Sequence, residues 1–218
     1  MCEIPRIAWC IPVNRDIDPK VYQNHMGALS YTLIKNVARV EHFIMPVGKV
    51  IDKARNITAL AALKQNPTHL FWVDQDVKIW PHAIEKLLAH KKKIVAGIYY
   101  VKGYPYHPCM FKKDMSQASY NKYNYMDNYT EGLNSVDLTG FGCMLIETEV
   151  FRDLPYPWFR ILRTNTTEDV YFCELALIHN YNIYVDTNIK CRHITERAEI
   201  GEREFMAVWG QGEVRNEE

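Results

Sequence analysis

Two aspartates, Asp74 and Asp76, stand directly after a short apolar run and are the residues of this chain best placed to do chemistry. The run, residues 70–73, has the length and composition of a strand that is buried on both faces. In open α/β sheets, ligands bind beyond the carboxyl ends of such strands. If the strand conformation continues, both carboxylates point the same way and repel each other unless a cation lies between them. A divalent cation that prefers oxygen ligands fits this pair, and the alternative is a surface turn with two solvated acids.

A second acid pair and a late histidine offer further chemistry. Glu168 and Asp169 precede an apolar helical pattern, where they would favour the positive end of the helix, and Thr166 or Thr167 could cap it. His193 ends a later apolar segment. A hard cation could take ligands from the first acid pair and His193, which would leave the second pair free to accept a proton. Side-chain chemistry alone does not separate His193 from the other histidines as a ligand.

Strand and helix patterns alternate along the chain. The order strand, helix, strand, helix, strand opens the sequence and favours parallel strands joined by crossover helices. Strands are predicted at residues 6–13, 42–47, 69–73, 94–100, 143–146 and 182–186, and helices at 19–39, 51–64, 81–88, 147–154 and 170–179. The sequence therefore predicts one α/β domain with a mostly parallel central sheet and flanking helices.

Composition and charge argue against several classes of function. The chain has 218 residues, a formal net charge of zero and 48% hydrophobic residues, and a neutral charge disfavours a broad nucleic-acid-binding face. No apolar stretch reaches the roughly 18 to 20 residues that span a bilayer, and the N-terminus lacks a signal-peptide pattern, so we expect a cytoplasmic protein. There is no Gly-x-Gly-x-x-Gly and no Walker sequence. The six cysteines lack Cys-x-x-Cys spacing, which predicts free thiols and argues against zinc at Cys191 and His193.

Residues 101–134 differ from the rest of the chain in composition. They are rich in tyrosine, asparagine and lysine, and residues 91–127 hold seven lysines against two aspartates. A β-meander with surface tyrosines is one interpretation, and a binding flap whose rings stack on sugars or bases is another. Further on, the glycines of Gly140-Phe141-Gly142 indicate close approach of the backbone to a ligand or to a neighbouring segment.

Taken in chain order, these motifs resemble the metal-dependent, nucleotide-sugar-using glycosyltransferases of the GT-A fold, of the family-2-like kind that carries an Asp-x-Asp sequence. The resemblance extends from Ile7 to His193. It rests on the strand that ends near Pro12, on Ala54-Arg55-Asn56, on residues 68–76, on Gly140-Phe141-Gly142, on Thr167-Glu168-Asp169 and on His193.

The resemblance implies a GT-A-like single domain, residues 1–218, with a small antiparallel extension on the acceptor side. Its nucleotide-sugar-binding half would be residues 1–100, its acceptor and catalytic half residues 101–195, and a polar tail would follow at residues 196–218. The donor is expected to be a UDP- or GDP-sugar, and the acceptor a saccharide or another hydroxyl.

The resemblance also implies a role for each matching residue. Asp76 would bind Mn²⁺ or Mg²⁺ directly, Asp74 would contact the ribose or the metal and its water shell, and His193 would complete the metal site. Asp169 would be the general base that deprotonates the acceptor hydroxyl, with Glu168 as the alternative base. The donor site would comprise Pro12, Val13, Arg55, Asp74, Gln75, Asp76, Gly140, Phe141 and Gly142.

Three alternatives stay open from the sequence. If Glu168 and Asp169 only stabilise the end of a helix, the enzyme could retain the anomeric configuration instead of inverting it. The local excess of lysine and tyrosine could serve an acceptor that is a modified nucleic-acid base. A non-catalytic nucleotide-binding module would share the same half-domain without transferring a sugar.

Overall fold

A seven-stranded sheet forms the centre of the fold. The structure, a computed structural model, describes residues 4–14, 16–114, 123–162, 167–195 and 198–210, without the side chains of residues 42 and 43. The strands are β1 (Arg6–Cys10), β2 (Arg39–Ile44), β3 (His69–Val73), β4 (Val77–Lys78), β5 (Ile94–Ile98), β6 (Met110–Lys113), β7 (Tyr123–Tyr125), β8 (Leu133–Val136), β9 (Leu138–Thr139), β10 (Cys143–Glu147), β11 (Ile183–Lys190), β12 (Arg192–Ile194) and β13 (Glu199–Ile200). The helices are α1 (Pro19–Ile34), α2 (Ile51–Leu63), α3 (Ala83–Ala89), α4 (Thr148–Asp153), α5 (Glu168–Ile178) and α6 (Glu202–Trp209).

The central sheet is mostly parallel, as the alternating pattern predicts. Its strand order is β2-β1-β3-β10-β5-β11-β8. Strands β2, β1, β3, β5 and β11 run in one direction, whereas β10, between β3 and β5, and the edge strand β8 run in the opposite one. The chain therefore has a mixed α/β fold in which the carboxyl ends of β1 and β3 meet at the same edge of the sheet.

Strand β3 is buried on both faces, which confirms the interpretation of its apolar run. Leu70 and Trp72 pack into the core on one side of the sheet, together with residues of α2, α4 and α5. Phe71 and Val73 pack into the core on the other side, with residues of α1 and α3. Burial of each large apolar side chain contributes about 1.5–3 kcal/mol, so the strand is firmly fixed in front of the acids that follow it.

Helix α1 ends at Ile34, five residues earlier than the apolar periodicity predicts. Asn36 adopts a left-handed conformation with φ of 51°. The amide of Asn36 donates to the Leu33 carbonyl, and the amide of Val37 donates to the Thr32 carbonyl. These two bonds form a Schellman motif, which terminates a helix, and asparagine tolerates the required backbone conformation. Strand β2 consequently begins at Arg39 instead of residue 42.

Two small antiparallel sheets flank the central one. Strands β13, β12 and β4 form the first, and β7, β6 and β9 form the second. The second lies in the tyrosine-rich part of the chain and agrees with the predicted antiparallel extension.

Some residues of the sequence analysis lie outside the described residues, namely Thr166, residues 115–122 of the tyrosine-rich segment, and tail residues 196–197 and 211–218. Across the described ranges, no helix has the length and apolar character that crossing a membrane requires.

Candidate active site

A cleft of about 770 Å³ opens at the carboxyl ends of β1 and β3. It is bounded by the segment after β1, by the β2–α2 loop, by the turn after β3 and by the first turn of α5. Most of the residues predicted for the site line this cleft, namely Pro12, Val13, Arg55, Asp74, Gln75, Asp76, Glu168, Asp169 and His193. The fold thus brings residues from both halves of the chain together at the edge of the sheet where ligands of α/β proteins bind.

Arg55 joins the two acidic motifs. It projects from α2 and is buried. Its Nη2 donates to Asp74 Oδ1 at 2.8 Å, and its Nε donates to Glu168 Oε1 at 3.0 Å. The centre of its guanidinium lies 4.8 Å from the centroid of the Phe141 ring, within range of a cation–π contact. One buried cation therefore braces the end of β3 against the start of α5.

The electrostatics of this cluster keep Arg55 charged. Burial alone would lower the pKa of the Arg55 guanidinium, but the carboxylates of Asp74 and Glu168 raise it above its usual value. Burial raises the pKa of Glu168, the negative charge of Asp169 adds to this, and Arg55 opposes it without cancelling it. Glu168 is therefore a buried partner of Arg55, and its carboxylate is already engaged by the guanidinium.

The turn that carries the Asp-x-Asp residues is fixed by several contacts. The Val77 amide donates to the Asp74 carbonyl at 3.1 Å and closes the turn after β3. The side chain of Gln75 accepts a hydrogen bond from the Asn14 amide at 2.6 Å, which ties the turn to the segment after β1. The chain turns here instead of continuing as a strand, and the Asp74 and Asp76 carboxylates bind different partners, Arg55 and His193.

Asp76 and His193 are adjacent in the cleft. Asp76 Oδ1 lies 3.3 Å from His193 Nε2. His193 Nδ1 lies 2.9 Å from the carbonyl oxygen of Tyr100, and because a carbonyl only accepts hydrogen bonds, Nδ1 carries the hydrogen. Nε2 is the nitrogen that faces the carboxylate, and either a proton on Nε2 or a cation between the two groups satisfies both acceptors.

Asp76 is ionised throughout the neutral pH range. Burial raises the pKa of its carboxyl group, but His193 and Lys102 outweigh burial and lower the pKa to about 2. Lys102 Nζ donates to Asp76 Oδ2 at 2.5 Å, on the oxygen other than the one near His193. Lys102 was missed in the sequence because it lies in the tyrosine-rich segment with no motif around it.

Asp76 and His193 fit a hard divalent cation as two of its ligands. A metal-bound histidine commonly donates its other ring N–H to a backbone carbonyl, as His193 does to Tyr100. Within the described ranges, no three His, Cys, Asp or Glu side chains are grouped so as to hold a metal ion, and Asp74 Oδ1 is bound by Arg55. Mg²⁺ or Mn²⁺ at this position would therefore need further ligands from a bound anion and water. A direct metal bond to Asp74 stays a prediction.

Asp169 extends from the first turn of α5 into the cleft. Its Oδ1 accepts a hydrogen bond from the Val170 amide at 2.8 Å and a second, short one from the Thr167 hydroxyl. Thr167 stands at the N-cap position of α5 but makes no side-chain cap bond to the backbone. Asp169 Oδ2 lies toward Gly140, 3.3 Å from the position that a Cβ would take there. One carboxylate oxygen is thus fixed and the other faces the Gly140 side.

Gly140 and Gly142 allow the ring of Tyr99 to pack against the backbone. A Cβ at Gly140 would lie 1.8 Å from the Tyr99 hydroxyl oxygen, and a Cβ at Gly142 would lie 2.8 Å from the ring. The close approach that the glycines predicted therefore involves a neighbouring segment, and contact of the Gly140-Phe141-Gly142 segment with a donor stays a prediction. The Tyr99 ring meets His193 edge-on with 5.6 Å between centroids. Sequence reasoning missed Tyr99, which no motif marks.

The β2–α2 loop forms a wall of the cleft that the sequence analysis did not identify. The Gly48 amide donates to the Val13 carbonyl at 3.0 Å, and Gly48 has φ of 68°, which glycine adopts readily. Lys49 and Val50 follow and line the cleft, and the Val50 side chain is exposed. The signal in the sequence that could have identified the loop was Gly48, which stands between the predicted strand at residues 42–47 and the predicted helix at residues 51–64.

The comparisons with known proteins place the fold but not a family. No protein-family model and no curated protein matches the chain. A197 from STIV is a similar solved structure, with a TM-score of 0.59, 17% identity, and coverage of 90% of this chain and 93% of that one. GalNAc-T7, solved with UDP, GalNAc and Mn²⁺, is another, with a TM-score of 0.55 and 11% identity. That match covers 89% of this chain but 45% of GalNAc-T7, so the present chain spans less than half of it. At such identities the similarity shows a shared, GT-A-like α/β fold.

Proposed function

We propose that this protein is a metal-dependent glycosyltransferase that moves a sugar from a nucleotide-sugar donor to an acceptor hydroxyl. The observation that carries the proposal is the Asp76–His193 pair, with Oδ1 and Nε2 3.3 Å apart, in one cleft with the carboxylate of Asp169. The fold shared with GalNAc-T7 supports it, because that protein was solved with UDP, GalNAc and Mn²⁺. The pair provides a place for a cation, and Asp169 provides a group that can accept a proton.

The donor half of the cleft has the polarity that a nucleotide sugar requires. Pro12 and Val13 border the proposed base position, and the exposed side chain of Val50 offers apolar surface on the β2–α2 loop. Asp74, held by Arg55 at 2.8 Å, would accept hydrogen bonds from ribose hydroxyls. A cation bound by Asp76 and His193 would neutralise the diphosphate leaving group.

Asp169 is the proposed general base. Its Oδ1 is oriented by the Val170 amide and the Thr167 hydroxyl, which fixes the carboxylate before the acceptor arrives. Because the pKa of a hydroxyl is far above that of a carboxylate, the proton moves as the new glycosidic bond forms. Glu168 is buried and bound by Arg55, which favours Asp169 over Glu168. A base on the acceptor side makes the reaction inverting.

Release of nucleoside diphosphate from UDP- and GDP-sugars tests this function, measured with Mn²⁺ and a panel of saccharide acceptors. Asp169→Asn is expected to bind the donor as the wild type does and to lose roughly 10²- to 10⁴-fold in transfer rate. Asp127→Asn is the matched control, since Asp127 pairs with His107 outside the cleft and should keep full activity.

The outcomes separate the alternatives. Retained transfer in Asp169→Asn would remove the base assignment and favour a retaining reaction. Donor binding without release of diphosphate by the wild type would favour the non-catalytic module. Transfer to a nucleic-acid base in preference to every saccharide would assign the acceptor to nucleic acid, which the local lysine excess could serve.

A further inference from the structure

Lys102 contacts the site from outside the predicted motifs. Its Nζ donates to Asp76 Oδ2 at 2.5 Å, while Asp76 Oδ1 is the oxygen close to His193. The two oxygens of the Asp76 carboxylate thus have different basic neighbours, Lys102 at Oδ2 and His193 at Oδ1. The Lys102 side chain is 42% exposed, and exposed ion pairs add little to stability. The contact with Asp76 therefore leaves room for a role of the lysine in binding beside a small contribution to stability.

The loop that carries Lys102 is held in place. The Val101 amide donates to the His107 carbonyl at 2.9 Å, and the Tyr106 amide donates to the Gly103 carbonyl at 2.8 Å. From α6, the indole N–H of Trp209 donates to the Pro105 carbonyl at 2.9 Å. These three hydrogen bonds hold the loop that presents the lysine to Asp76.

Lys102 also borders a second cavity. This cavity, of about 680 Å³, shares Gln75 and Asp76 with the main cleft and is further lined by Lys102 and by two acids, Asp16 and Asp18. Lys102 lines the second cavity and not the main cleft, and its ammonium reaches the cleft through Asp76, which lines both. An ammonium has three donor hydrogens, so it can bind Asp76 and an anion in the cleft at the same time.

We propose that Lys102 binds the diphosphate of the donor in addition to Asp76. This inference rests on the proposed function, because it assigns Lys102 to the leaving group of the same donor. The lysine neutralises part of the charge of Asp76, so on its own it opposes binding of a divalent cation there. When a diphosphate binds, its oxygens bring negative charge beside the divalent cation and the ammonium of Lys102. Lys102 then donates a hydrogen bond to one of these oxygens. The cation and the diphosphate therefore bind better together than either binds alone.

Calorimetric titrations of the wild type and of Lys102→Met test this assignment. Methionine keeps an unbranched chain but removes the charge. With Mn²⁺ alone, Lys102→Met should bind the ion roughly five- to tenfold more tightly, because the competing ammonium is gone. With saturating Mn²⁺, it should bind UDP, GDP or dTDP roughly tenfold more weakly, because a charge-assisted hydrogen bond to the diphosphate is lost. Uridine, guanosine and thymidine should show no such difference.

Lys112→Met is the matched control. Lys112 pairs with Asp137 at 3.1 Å, and its side chain is 44% exposed, but it lines neither the cleft nor the second cavity. Its substitution should change neither affinity. Thermal unfolding of both variants checks that they are folded.

The two changes for Lys102→Met have opposite signs, which a purely structural role would not produce. Unchanged or weaker Mn²⁺ binding in Lys102→Met would overturn the inference, and so would unchanged diphosphate binding. Failure of the proposed function looks different, because the wild type itself would then bind neither Mn²⁺ nor any nucleoside diphosphate. In that case both proposals fall together.

Discussion

Arg55 and Glu168 form a buried ion pair with 3.0 Å between Nε and Oε1, although 113 residues separate them in the chain. The same guanidinium binds Asp74 at 2.8 Å. Helix α2 thereby holds the end of β3 and the start of α5 at a fixed distance from each other. Asp76 and Asp169, which follow Asp74 and Glu168 closely in the chain, take their positions in the cleft from this brace.

Substitution of Arg55 is expected to cost more stability than substitution of any exposed arginine. Arg55→Met leaves two carboxylates without their buried cation, and breaking a buried pair in this way typically costs about 3–5 kcal/mol. Urea denaturation of the two proteins measures the difference in the free energy of unfolding. Arg152→Met serves as the control, since Arg152 is exposed and its hydrogen bond among the described residues goes to Asn66, and it should cost less than about 1 kcal/mol. A similar cost for both variants would contradict the brace.

The stability contributed by Asp76 should depend on pH in a defined direction. The folded-state pKa of about 2 lies below the ordinary value of 3.8, so the contribution is present above about pH 4 and is lost as the pH falls toward 2. Because the Asp76 side chain is 34% exposed, solvent screening reduces the expected contribution to roughly 1–2 kcal/mol. The measurement is the difference in unfolding free energy between the wild type and Asp76→Asn from pH 6 to 2.5, with a chelator present. A difference that stays constant over this range would contradict the ion pairing.

A methyl group at Gly140 is expected to disturb the site through Tyr99. The added Cβ would lie 1.8 Å from the Tyr99 hydroxyl oxygen, and overpacking of this kind costs about 1–3 kcal/mol. Tyr99→Phe removes that oxygen and leaves the nearest ring carbon at 3.1 Å, so Gly140→Ala should cost less in the Tyr99→Phe background. Chemical denaturation of the four proteins of this cycle gives the coupling energy.

The control for this cycle lies on α1. At Gly27, no neighbouring atom lies within 4 Å of the position that a Cβ would take. In a helix interior, alanine is more stable than glycine by about 0.5–1 kcal/mol. Gly27→Ala should therefore stabilise the protein. Equal costs of Gly140→Ala in both backgrounds would show that the Tyr99 hydroxyl is not what the glycine accommodates.

Local patterns were sufficient to predict β3 and the acids at its end. The run from Leu70 to Val73 is apolar at every position, and a strand buried on both faces requires this. The chain order of the motifs was also sufficient to bring Arg55, Asp169 and His193 into consideration together. These features depend on residues that are close in sequence or on a familiar order of elements.

The remaining features depend on contacts between distant segments, which a pattern does not encode. Asp74 and Asp76 lie in a turn, and each carboxylate binds a partner from elsewhere in the chain, Arg55 and His193 respectively. Lys102 and Tyr99 belong to the site because their loop and strand pack there, although no motif surrounds them. The end of α1 was misplaced because apolar periodicity does not reveal a left-handed residue at Asn36.

Thermal unfolding with UDP-, GDP- and dTDP-sugars, each with and without Mn²⁺, tests the central claim most directly. A ligand at about 100 times its Kd stabilises the native state by roughly 2.7 kcal/mol, which is readily detected as a rise in Tm. We expect one nucleotide sugar to raise the Tm of the wild type only with Mn²⁺, and to have no such effect on Asp76→Asn or His193→Ala. If no nucleotide sugar raises the Tm of the wild type, or if the rise persists unchanged in both variants, the assignment of the Asp76–His193 pair to a donor-bound cation is wrong.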